Sequence, residues 1–133
     1  MTVLVGYVPS PLGEAALQAA IEQAKFRDEP VLVVNTSRGD AYVDPRFAQE
    51  PDLERVTREL TAAGVPHTVR QLMRGRDAAE EIMEIVEAED VSLVVIGIRH
   101  RTPVGKLIMG STAQEILLRV PCPVLAVKAP VTE

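Results

Sequence analysis

The residues best suited to chemistry lie between positions 94 and 112, which read Val-Val-Ile-Gly-Ile-Arg-His-Arg-Thr-Pro-Val-Gly-Lys-Leu-Ile-Met-Gly-Ser-Thr. An apolar strand runs into a loop carrying Arg99, Arg101 and Lys106 with no acid, and Gly110-Ser111-Thr112 then opens a helix. Amides at a helix N-terminus lack internal partners and carry partial positive charge, so they receive anions readily. Arginine adds forked, bidentate contacts to phosphate oxygens. The pattern therefore points to anion capture, and to phosphate first. Gly97 would let the chain turn closely around a ligand, Gly110 would leave room for a phosphate, and the Ser111 hydroxyl would donate to it. His100, flanked by two arginines, would contribute an imidazole. The plainer alternative is a turn, a basic loop tip and a serine N-cap, since serine is favoured at that position.

Elements must hold this loop in place, and the chain supplies them in regular alternation. Residues 2–8 form a compact apolar run, read as a buried first strand. Residues 12–27 carry Ala16, Leu17, Ala20, Ile21 and Ala24 at helical spacing. Strands are expected at 31–34, 65–73, 91–97 and 124–127, and further helices at 52–63, from Asp77 onward and at 111–119. Gly64 ends the second of these helices. Asp77 and Glu80 have the spacing of a capping box, and Ile82, Ile85 and Val86 form the inner stripe of the helix that follows. Such alternation predicts an α/β fold: a single domain over residues 1–133 with a doubly wound, five-stranded parallel sheet and helices on both faces. In sheets of that kind ligands gather outside the carboxyl ends of strands at the switch in winding, here between the loops after the first and fourth strands.

Charge and composition narrow the function. The 133 residues are 47% hydrophobic and 25% charged, with no tryptophan, a net charge of −5 and a pI near 5.1. An acidic chain lacks the broad basic surface that nonspecific nucleic-acid binding needs, so no nucleic acid is expected as partner. Residues 98–111 carry +3, leaving −8 on the remainder. Seven acids and no base fall between positions 77 and 90, read as a solvated helix face. The single Cys122 is expected to act as a small buried hydrophobe. No signal-peptide pattern opens the chain and no apolar run approaches membrane-spanning length, so a cytoplasmic protein away from membranes is expected.

The loop and helix start resemble the signature of the universal stress protein family. In its nucleotide-binding members the signature is Gly, two residues, Gly, nine residues, Gly, then Ser or Thr. Gly97, Gly110 and Ser111 match at the right spacing, while His100 replaces the second glycine. The closing Pro121-Cys122-Pro123-Val124-Leu125-Ala126-Val127-Lys128 resembles the family's last strand, and the order of elements matches across nearly the whole chain. The resemblance implies a Rossmann-like domain of the stress response binding ATP or a related adenine nucleotide, with Mg²⁺ only alongside the nucleotide. It places the adenine near Asn35 and Thr36, and implies a homodimer paired through the last strand. Family members that bind ATP usually carry an aspartate at the end of the first strand; here that position is Val8.

Three readings stay open. One is a nucleotide-responsive binding and signalling module. A second is a universal stress protein that has lost ATP binding and acts as a dimeric interaction scaffold, which the substitutions at His100 and Val8 favour. The third is an enzyme or redox module on the same architecture, for instance a weak nucleotide hydrolase or a flavodoxin-like flavin binder. Against the third, His67 stands far in sequence from any nucleophile, no Cys/His cluster has metal-ligand spacing, and Gly105-Lys106 is followed by Leu107 rather than the Ser or Thr of a P-loop. The expectation is a non-enzymatic protein without a metal site of its own.

Overall fold

The computed structural model describes residues 1–37, 46–98 and 110–129. Strands β1 (Thr2–Gly6), β2 (Val31–Thr36), β3 (His67–Leu72), β4 (Val91–Ile98) and β5 (Val124–Lys128) alternate with helices α1 (Pro11–Arg27), α2 (Glu50–Ala62), α3 (Ala78–Ala88) and α4 (Ser111–Arg119). All pairings are parallel and the sheet order is β3-β2-β1-β4-β5, so the expected doubly wound sheet is present. Winding runs outward from β1 to β3, then returns to β4 on the other side of β1. The switch falls between the carboxyl ends of β1 and β4.

Alternate residues of each strand face opposite layers. Val3, Val5, Val33 and Val95 pack under α1 and α2 with Leu17, Val56 and Leu60. Leu4, Leu32, Val94 and Ile96 pack under α3 and α4 with Ile82, Ile85 and Ile116. Central strands buried on both faces explain the unbroken aliphatic runs. The edge strand β3 is only partly buried, in keeping with its polar sequence.

Several boundaries shift for local reasons. The first strand ends at Gly6 because Tyr7 N–H makes a last bond to Val34 O (2.9 Å), after which Ser10 N–H turns back onto Val8 O (2.8 Å). The third strand begins at His67 because Val65 N–H still bonds Leu60 O at the end of α2 (3.1 Å). Helix α2 starts at Glu50, where Gln49 and Asp52 form a reciprocal capping box. The box expected at α3 is only half made: Asp77 accepts from Glu80 N–H (2.9 Å), while the Glu80 carboxylate lies 4.0 Å from Arg76. Gly64 does terminate α2, in the left-handed conformation (φ 71°) that glycine adopts without strain.

The acidic run is not wholly a solvated face. Glu81 is 1% exposed, and Arg74 clamps its carboxylate through Nε (3.0 Å) and a second nitrogen (2.6 Å). A buried carboxylate needs such pairing. Cys122 is half-buried against the α3–α4 layer, and that burial raises its thiol pKa above the ordinary value.

Candidate functional site at the strand switch

A cleft of about 640 Å³ opens over the carboxyl ends of β1, β2 and β4. Its floor is apolar, from Val34, Ile82, Ile96, Ile98 and Ile116. Three helices begin at its rim: α1 near Leu12 and Gly13, α3 at Asp77 and Ala78, and α4 at Gly110–Ala113. The ends of β1 and β4 thus border the crevice at the expected switch point, while residues 99–109 of the loop after β4 lie outside the described residues.

The three N-termini differ. Helix α3 is capped by its own Asp77 side chain. Helix α1 starts with Pro11, which has no N–H to offer. Helix α4 is preceded by Gly110, which has no side chain to cap it, and the amides of Ser111, Thr112 and Ala113 find no partner among the described residues. The N-cap is therefore Gly110, not Ser111 as the plainer reading held. A Cβ at Gly110 would meet nothing within 4 Å, so open space adjoins these amides. An anion there would gain hydrogen bonds and a favourable helix dipole.

Gly97 has a packing role in addition to its place in the cleft lining. Its backbone is not among the positive-φ glycines. A Cβ there would stand 2.2 Å from the Leu12 carbonyl oxygen, so glycine lets the start of α1 press against the end of β4. Gly13 repeats the device, its Cβ position lying 1.7 Å from Val8 O. Together they draw the turn holding Val8 and Ser10 to the cleft wall. Ser10 Oγ is buried and makes no hydrogen bond, an orphan hydroxyl at a ligand-sized space.

On the β2 side a buried hub fixes the opposite wall. Asn35 is fully buried and donates through Nδ2 to Tyr7 O and Arg46 O, both at 2.8 Å. Its Oδ1 accepts from Ala48 N–H (2.8 Å) and Gln71 Nε2 (3.0 Å), which uses the full capacity of the amide. The residue once placed beside adenine is thus committed to the scaffold. Tyr7 is 1% exposed, and its hydroxyl donates to Glu14 (2.8 Å) and accepts from Arg55 (3.1 Å). Burial, with the Glu14 hydrogen bond, pushes its pKa up to about 12.

Of the residues singled out from sequence, Val8, Thr36, Gly97, Gly110, Ser111 and Thr112 all line the cleft. Arg99, His100 and Arg101 lie outside the described residues. The sequence reading missed Ser10, Arg46 and Asp77 as lining residues. Ser10 had a local signal, two positions beyond Val8 on the same turn. Arg46 had none, because a hydrogen bond from the buried Asn35 side chain to its carbonyl places it. Val8 puts an apolar branched side chain in the wall where a carboxylate was the family expectation. An adenine nucleotide fits this donor set: an apolar floor for the nucleoside, bare amides for phosphate and an unused hydroxyl between them. Among the described residues no group of three or more His, Cys, Asp or Glu is placed to hold a metal, and no helix is long and apolar enough to cross a membrane.

Fold and site together define a doubly wound α/β binding domain with an anion-ready cleft at its switch point. Residues 1–128 match the model of the universal stress protein family. A universal stress protein of Mycolicibacterium smegmatis is 51% identical over 126 residues, covering 95% of this chain and 96% of the relative. The structure of a universal stress protein from Archaeoglobus fulgidus superposes with a TM-score of 0.72 at 30% identity, covering 96% of this chain and 98% of the other. Another structure from that organism, determined in complex with dAMP, has a TM-score of 0.65 at 26% identity with the same coverages. The chain belongs to the universal stress protein family.

Proposed function

We propose that this chain is a nucleotide-responsive binding module of the stress response, with an adenine nucleotide lying across the strand switch. Its phosphate would sit on the α4 amides beside Gly110, Ser111 and Thr112, and its nucleoside would cross the ends of β1 and β2. One observation carries the reading: a helix N-terminus with no capping partner among the described residues, next to open space at the end of an apolar cleft. The dAMP complex of the Archaeoglobus fulgidus relative supports adenine nucleotides as the ligand class. Mg²⁺ would arrive on the phosphates, and the function assigned is binding rather than catalysis. Isothermal titration with AMP and with MgATP tests this. Saturable binding of either at a 1:1 ratio is expected; heats of dilution alone would leave the dimeric scaffold as the better account.

Occupancy would be read by partners of a cytoplasmic homodimer paired through β5. That strand is a sheet edge whose Val124, Leu125, Ala126 and Val127 are only partly buried, and an unpaired apolar edge invites a second strand. Light scattering at micromolar concentration should give twice the chain mass, and Ala126→Pro should shift it to the monomer. A monomeric wild-type protein would refute the pairing.

A further inference from the structure

We propose that Ser10 is a ligand-contacting residue of the cleft, its hydroxyl pairing with a hydroxyl of the nucleotide's ribose. The inference rests on the nucleotide reading above and specifies how the sugar is recognised. Ser10 stands at the N-cap of α1, where a serine ordinarily accepts from the second or third helical amide, yet its side chain makes no such bond. Its backbone is fully engaged: the N–H donates to Val8 O (2.8 Å) and the carbonyl accepts from Glu14 N–H (3.0 Å). The hydroxyl oxygen is buried and has no partner. Buried polar atoms are almost always bonded, so one left over beside a ligand-sized cleft marks a bond that a ligand can complete. Ser10 itself lines that cleft. One step of its χ1 torsion between staggered wells turns the hydroxyl toward a bound sugar.

The placement of the turn selects the sugar rather than the base or the phosphate. Leu12 O presses against Gly97 at the end of β4, and Val8 O against Gly13, so the turn that holds Ser10 is pinned over the ends of β1 and β4. Strand β1 lies between β2 and β4, each about 4.8 Å away. A nucleotide with its phosphate on the α4 amides, which follow β4, and its base toward β2 must carry its ribose across β1, past Ser10. Among the described lining residues of this stretch no other polar side chain is unengaged: Val8 is apolar, and the Tyr7 hydroxyl bonds Glu14 and Arg55. A serine hydroxyl both donates and accepts, so it pairs with a sugar hydroxyl in either sense without any charge. Ser10 thus supplies, two positions along the turn, a polar contact that Val8 cannot make.

Isothermal titration of AMP and of 2′,3′-dideoxy-AMP into wild type and Ser10→Ala tests the assignment. Ser10→Ala should bind AMP roughly 3- to 10-fold more weakly, the worth of one neutral hydrogen bond. Affinity for the dideoxy analogue should be the same in both proteins, because that sugar offers the hydroxyl nothing to meet. The thermal midpoint without ligand should stay or rise, since alanine deletes a buried group that has no partner. A lower midpoint with unchanged AMP affinity would make Ser10 a cap of α1 and overturn the assignment. Equal losses for AMP and its dideoxy analogue would put the contact on the base or the phosphate and overturn it too. An unchanged midpoint with unchanged affinities would overturn it while leaving the proposed function standing. Wild-type protein that binds neither nucleotide would overturn both.

Discussion

At the scale of single residues, the two signature glycines do opposite jobs. Gly97 is a packing residue: Gly97→Ala drives a methyl into the Leu12 carbonyl and should cost about 1–3 kcal/mol in denaturant unfolding. Gly110 is a vacancy-making residue, and Gly110→Ala should cost less than about 1 kcal/mol, since its Cβ meets nothing. A Gly97→Ala protein as stable as wild type would contradict the close approach of α1 and β4. Spacing identified both positions but could not separate the roles, because the carbonyl that crowds Gly97 comes from 85 positions earlier. Tyr7 offers a second test at this scale. Its pKa rises from 10.0 to about 12, so the folded state holds the phenol proton more tightly than the unfolded chain. That contribution is complete below pH 10 and is lost as pH climbs through 12. The difference between wild-type and Tyr7→Phe absorbance titrations should show one tyrosine ionising near pH 12; ionisation near 10 would contradict its burial.

At the scale of elements, long-range polar ties decide what pattern alone left open. Strand and helix types were legible, because period-two and 3.6-residue apolar patterns record which face each element buries. Ends were less legible: β2 continues past Val34 since Asn35 and Thr36 pair with Gln71 and Leu72 of β3. Glu81 was taken for a solvated acid because the helix itself contains no base, while its partner Arg74 precedes the helix in the chain. Asn35 joins β1, β2, β3 and the approach to α2 through four bonds. Removing them by Asn35→Ala strands several buried backbone groups and should cost about 2–4 kcal/mol in chemical unfolding. A loss under about 0.5 kcal/mol, the level of an ordinary surface change, would show that the hub is not needed.

At the scale of the whole molecule, the winding order turns an unremarkable aliphatic sequence into a binding domain. Alternating elements predicted the parallel sheet, and the sheet order places the end of β1 beside the end of β4, so Val8 and Ser111 share one cleft despite being 103 positions apart. The cleft's location was therefore legible before its full lining was: on the β2 side Thr36 was named, while Arg46 is held there by a hydrogen bond with no periodicity. Among the described residues, the start of α4 leaves amides without a partner beside open space, the kind of place where an anion gains hydrogen bonds and a favourable helix dipole. The most direct test is thermal unfolding of wild type and Gly110→Trp, with and without millimolar MgATP. A ligand that binds only the folded state stabilises it, by about 4 kcal/mol at a thousandfold excess over its dissociation constant. The account predicts an upward shift on adding MgATP in wild type and none in Gly110→Trp, each protein being compared with its own midpoint without ligand. No shift in wild type, or an equal shift in both, would contradict a nucleotide seated at the start of α4.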